Sequence, residues 1–196
     1  MENILILPDV KTVNKHLRIE NLLVNNMEND FFNNISINGR YIYGYLCLNS
    51  FFSSKNTPDL PESLKKDIEE FVSSDRLDIW HENIEEVLPS IIINNSFNSG
   101  YYEIIDEKYY NDLREYYTNI GSDSCNLIEN LLNIGASNLF GAFDSTISIK
   151  YLNNIISILK DNNVYLPDPE RVAALNVEEK NGWGNTVSMK DYLPFQ

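Results

Sequence analysis

Apolar residues recur at three- and four-residue spacings through most of this chain, the period of helices packed by one face. Leu64, Ile68, Phe71 and Val72 make one stripe, and Leu77, Trp80, Ile84, Val87 and Leu88 a second. Leu127, Ile128, Leu131, Leu132 and Ile134 make a third, and Tyr151, Leu152, Ile155, Ile156 and Leu159 a fourth. The residues between the stripes are helix punctuation. Pro61 suits a first helical position. Ser74 or Asp75 can cap the next segment, and Pro89 should end or bend it. Asp106 can cap a helix over 107–120, which Gly121 stops and Ser122 or Asp123 restarts. Further helices are expected over 10–24, capped by Asp9, and over 145–162. Tyr41–Phe52 (YIYGYLCLNSFF) suits a strand by its aromatics and a buried helix by its length. No strand partner follows, so helix is the reading. Ile91–Ile93 is either a short strand or a buried turn. Residues 25–40 and 53–61 read as connections, and the small residues of 135–143 as a place of close backbone approach. Periodicity stops after Pro167. The expectation is an all-α single domain over 1–196, a bundle of about six or seven helices with 166–196 as an irregular tail packed on it.

The charge is unevenly spread. The chain of 196 residues has a net charge of −14 and a pI near 4.4. Residues 61–120 hold 14 Asp and Glu against 5 Lys and Arg, whereas residues 1–60 hold 6 against 5. Phosphate contacts need clustered Lys and Arg, so nucleic acid and anionic membrane are poor partners. A basic protein is the natural complement. The plain alternative is that acidity keeps the protein soluble. At 43% hydrophobic and 22% charged residues the composition is that of a globular protein. Cys47 and Cys125 lack CxxC spacing and read as buried free thiols in a reducing compartment. The first residues have a short apolar run and no basic region, so no secretory signal is expected, and no run is long enough to span a bilayer. The cytoplasm is the expected compartment. Asn is abundant, 28 residues, but scattered rather than of low complexity.

Asp78, Glu82, Glu85 and Glu86 recur at helical spacing beside the Leu77/Trp80/Ile84 stripe. Like charges so placed cost about 0.2–0.5 kcal/mol per pair, so local stability does not explain them. A docking face for Lys and Arg of a partner does, and an ordinary solvated face is the alternative. Carboxylates also suit Ca²⁺ or Mg²⁺. There is no EF-hand loop, and a straight helix converges too few oxygens, so no metal or cofactor is expected. Tyr101, Tyr102, Tyr109, Tyr110, Tyr116 and Tyr117 interleave with acids including Asp112. Tyr109 and Tyr116 share a face with Leu113 and Ile120 and read as core. Tyr110 and Tyr117 lie to one side and join the partner-binding candidates, because Tyr brings area and a polar tip at low entropy cost. Trp183, between two glycines, either faces a ligand or plugs the bundle. Catalytic material is thin: two histidines, His16 and His81, with His81 beside Asp78 and Glu85. There is no HExxH, GxSxG or phosphate loop. The chain is therefore read as no enzyme, with a small carboxylate/His enzyme or a generic acidic adaptor as alternatives.

Two stretches, Tyr43-Gly-Tyr-Leu-Cys-Leu-Asn-Ser-Phe-Phe52 and Glu178-Glu-Lys-Asn-Gly-Trp-Gly-Asn185, resemble patterns in bacterial immunity proteins of polymorphic-toxin and contact-dependent growth-inhibition loci. The resemblance implies a cytoplasmic protein that binds one cognate toxin domain and blocks its active site or substrate channel. Many such toxins are nucleases with basic clefts. No residue role carries over position by position.

Overall fold

The structure is a computed structural model that describes residues 30–98, 100–137, 139 and 145–193. The expected helix over 10–24, its Asp9 cap and His16 lie outside these residues, as do residues 138 and 140–143 of the small-residue run 135–143. The fold is all-α. Six helices follow a helical turn at 30–33: α1 (Ile37–Lys55), α2 (Glu62–Glu70), α3 (Leu77–Glu85), α4 (Pro89–Asn94), α5 (Glu107–Ala136) and α6 (Ser145–Asp161). Short 3-10 turns lie at Phe71–Ser73, Pro169–Val172, Glu179–Gly182 and Met189–Tyr192. The extended pairing among the described residues is one isolated bridge, Ile35 with Asn176.

α1 is the central strut. Every residue from Ile35 to Leu48 is buried, so this part of the helix has no outer face, the pattern expected of a helix enclosed by others, whereas residues 53–55 at its end are exposed. α5 and α6 pack on it and on each other. Its start differs from the sequence expectation, which ran the connection to residue 40. Ser36 caps the helix by accepting from the Gly39 amide at 3.3 Å. Arg40 is fully enclosed and donates to the Phe32 carbonyl at 2.9 Å and the Ser148 hydroxyl at 2.7 Å. These bonds to neutral oxygens make burial of a guanidinium tolerable.

An aromatic cluster ties the α2–α3 layer to this strut. The Phe71 ring lies 4.2 Å from that of Tyr41 and 4.6 Å from that of Trp80. The Trp80 indole donates to the Asp67 carbonyl at 2.8 Å and the Tyr41 hydroxyl to that of Ile68 at 3.1 Å. Leu64, Ile68, Ile84 and Val87 are buried beside them, as their spacing predicts. The caps differ. Ser74 accepts from the Arg76 amide at 3.0 Å, one step ahead of α3. Pro89 does not end α3 but opens α4 at its first position, leaving Ile92 buried and Ile93 exposed. The Ser90 amide and hydroxyl are both held by the Glu129 carboxylate, at 3.0 and 2.6 Å, which satisfies a helix N-terminus.

In α5 the Asp106 carboxylate accepts from the Tyr109 amide at 2.7 Å, as expected of a cap. Gly121 breaks the helix at φ 81°, ψ 164°, a region that a side chain disfavours. Leu127, Ile128, Leu131, Leu132 and Ile134 are fully buried beyond it. Gly135 lies under the Trp80 and Phe71 rings, where an added Cβ would come within 2.7 and 2.8 Å of them. The tail is irregular but anchored. Its Leu175, Trp183 and Asn185 carbonyls accept from Ser36 and Asn38 at 2.8–3.0 Å, and the Val187 amide donates to Val72 at 2.8 Å. Cys47 and Cys125 are buried, and neither is joined in a disulfide. Burial, then Glu129, pushes the Cys125 thiol up to about 11. Among the described residues no helix is long and apolar enough to cross a membrane.

Candidate interaction surface

The carboxylates of α3 fare differently from one another. Glu82 and Glu85 are exposed, and the Glu85 carboxylate sits 3.4 Å from the His81 Nε2. Asp78 is exposed too, but it pairs with Arg76, which donates to its two oxygens at 2.9 and 2.7 Å. That bond holds the Asp78 carboxyl at about 2, well below the usual range. Among the described residues no other lysine or arginine comes within ion-pair distance of an acid between Pro61 and Ile120. The negative charge there is therefore left largely to solvent.

Glu86 has an internal task that its spacing did not reveal. Its carboxylate accepts from three successive backbone amides, Glu103 at 2.7 Å and Ile104 and Ile105 at 3.0 Å each. Bonds to an ionised acceptor are stronger than neutral ones. They fix the loop between α4 and α5 against the end of α3, so Glu86 is a loop anchor rather than a freely presented docking charge. The same contact places the Glu103 backbone against the end of α3. Glu103, Asp106 and Glu107 are all exposed.

The two tyrosines expected at the surface are in the core. Tyr110 and Tyr117 are each 1% exposed. The Tyr117 hydroxyl donates to the Val87 carbonyl at 2.7 Å, and the single proton of the Tyr110 hydroxyl lies between the Asn95 carbonyl at 2.5 Å and that of Ile92 at 3.2 Å. Burial drives the Tyr117 phenol well above its ordinary value. Tyr109 and Tyr116, expected inside, are half-buried instead, and the Tyr116 hydroxyl reaches the Pro58 carbonyl at 3.1 Å. The reason is the layer above. α4 and the turns flanking it offer carbonyls to one edge of α5, and the rings that meet them go in. Asp112 is exposed, two residues past Tyr110 and so on the outer side of the helix.

None of the exposed large apolar residues, Ile79, Ile93, Tyr101, Ile104, Ile147 and Tyr165, was among the predicted site residues, and two of them share one loop. Tyr101 is 59% and Ile104 48% exposed, both on the loop that Glu86 holds. Tyr101 was visible only as one of a run of tyrosines, and Ile104 carried no signal beyond belonging to no helical stripe.

No catalytic set is assembled from the residues considered. Asp78 turns to Arg76 while His81 meets Glu85, and none of Asp78, His81 and Glu85 lines the groove beside α2. That groove, of about 780 Å³, runs between α2 and residues 186–191, and its walls mix Lys65, Lys66 and Lys190 with Glu62, Glu69 and Glu70. Trp183 packs half-buried on the core, with one side lining a shallow recess of about 230 Å³ beside Asn38 and Leu77. Among the described residues no three His, Cys, Asp or Glu side chains gather as metal ligands would. In comparisons with known proteins, no family model, curated protein or solved structure matches this chain.

Proposed function

We propose that this chain is a binding protein for a cationic protein, and that in its cell it neutralises a basic toxin domain, such as a nuclease, in the manner of the immunity proteins it resembles. The observation that carries the reading is the acidic surface on α3 and the loop Glu86 draws to it. Glu82, Glu85, Glu103, Asp106 and Glu107 are exposed there, with no lysine or arginine of the described residues within ion-pair distance. Carboxylates held in this way raise the local concentration of a positively charged partner and speed its arrival.

The test is association kinetics with the domain encoded by the neighbouring upstream reading frame, together with protection of cells that express it. Replacing both Glu82 and Glu85 by Lys should slow association roughly tenfold or more at low salt and weaken protection. The wild-type rate should fall with added salt and the variant's much less. An unchanged rate in the double variant overturns the acidic-surface reading.

A further inference from the structure

The loop between α4 and α5 is held at more points, and carries more cost, than a connection requires. Tyr102 is buried, 4% exposed, between Phe97, stacked on it at 5.4 Å and 7°, and Tyr110 at 5.3 Å. Its hydroxyl has no hydrogen-bond partner, a desolvation that works against folding. The Tyr101 ring stands edge-on to Tyr102 at 5.1 Å. A column of rings therefore runs from the core at Tyr110, through Tyr102, to Tyr101 at the surface. Glu86 fixes the other side of the loop through three amides. The result is that Tyr101 and Ile104 are held outward on a short, doubly braced segment, with exposed Glu103, Asp106 and Glu107 around them.

Single exposed apolar residues are ordinary. Two of them on one braced loop, set among carboxylates without cationic partners, are what an anchor site needs: area already ordered, so that little entropy is lost on contact. We propose that Tyr101 and Ile104 are the anchors of the partner surface and enter an apolar recess rimmed by Lys and Arg. Charge selects this occupant. A second copy of the chain would bring its own net charge of −14 against the same patch, and an anionic membrane or nucleic acid would likewise be repelled. The inference rests on the cationic-partner reading and adds to it the side chains that set how long the complex lasts. Exposed acids govern arrival, and buried anchors govern departure.

The experiment measures association and dissociation separately, by surface plasmon resonance, between the full chain and the upstream-encoded domain made by cell-free synthesis. Tyr101→Ala and Ile104→Ala remove side chains about half exposed, and melting of each variant is checked against wild type. The expected result is dissociation faster by roughly tenfold or more for each, with an association rate and salt dependence close to wild type. If wild type binds and both variants leave at the wild-type rate, the anchor assignment is overturned while the cationic-partner reading stands. If wild type does not bind the domain, the functional reading falls and the anchor assignment with it.

Discussion

Asp67 is half-buried on α2, and its charge is felt at Tyr41 and Tyr109. Burial, then Glu70, raises its carboxyl from an ordinary 3.8 to about 6, and Lys66 pulls partly back. The folded state thus holds this proton more tightly than the unfolded chain does. The stability it confers is fully present below about pH 4 and is lost as pH rises through about 6. Asp67→Asn should therefore melt higher than wild type at pH 7.5 and level with it at pH 4. The gain is on the order of 1 kcal/mol or less, because water reaches part of the group and screens it. Thermal unfolding at the two pH values checks this, and equal differences at both would show that the carboxylate carries no penalty. Glu86 makes a related point about legibility. A sequence records a carboxylate at helical spacing but not the three amides that arrive from seventeen to nineteen residues later.

Among the elements, α5 shows where helical spacing informs and where it fails. Its Asp106 cap and its break at Gly121 were both readable, because each depends on neighbours in sequence. The choice between Tyr109/Tyr116 and Tyr110/Tyr117 was not. Both pairs recur every seven residues and lie side by side on the helix. What decides between them is the position of the Val87, Ile92 and Asn95 carbonyls, set by tertiary contact. Pro89 misled for a similar reason: proline at a boundary is compatible with stopping one helix or starting the next. Two glycines give a paired prediction. Gly121→Ala meets open space, so its cost, about 1–3 kcal/mol, is backbone strain alone. Gly135→Ala collides with the Trp80 and Phe71 rings and should cost about 1–3 kcal/mol through displaced packing. Urea denaturation gives both losses. Trp fluorescence and near-ultraviolet circular dichroism of the folded state should shift for Gly135→Ala and stay at wild type for Gly121→Ala.

For the whole molecule, the bundle was legible and the way its tail closes it was not. Helical stripes announce buried faces, whereas Leu175, Asn176 and Trp183 sit in a segment without periodicity and still meet the start of α1. Val172, Leu175 and Met189 are buried there. Removing residues 167–196 should uncover Ile35, Ile37 and Val72 and leave Ser36 and Asn38 without their backbone partners. The truncated chain is expected to keep helical circular dichroism, bind ANS and lose its cooperative melt. A sharp wild-type transition in the truncated chain would show that the tail is an accessory. The enclosure of α1 has one more consequence. From Ile37 to Leu48 that helix is touched from every direction and offers no position where substitution goes unnoticed, so a change there demands an answering change in the elements around it. Glu82, Glu85 and Ile104 point into solvent and make no such demand. Under the proposed function, the residues that would meet a partner are free to change while the scaffold beneath them stays constant.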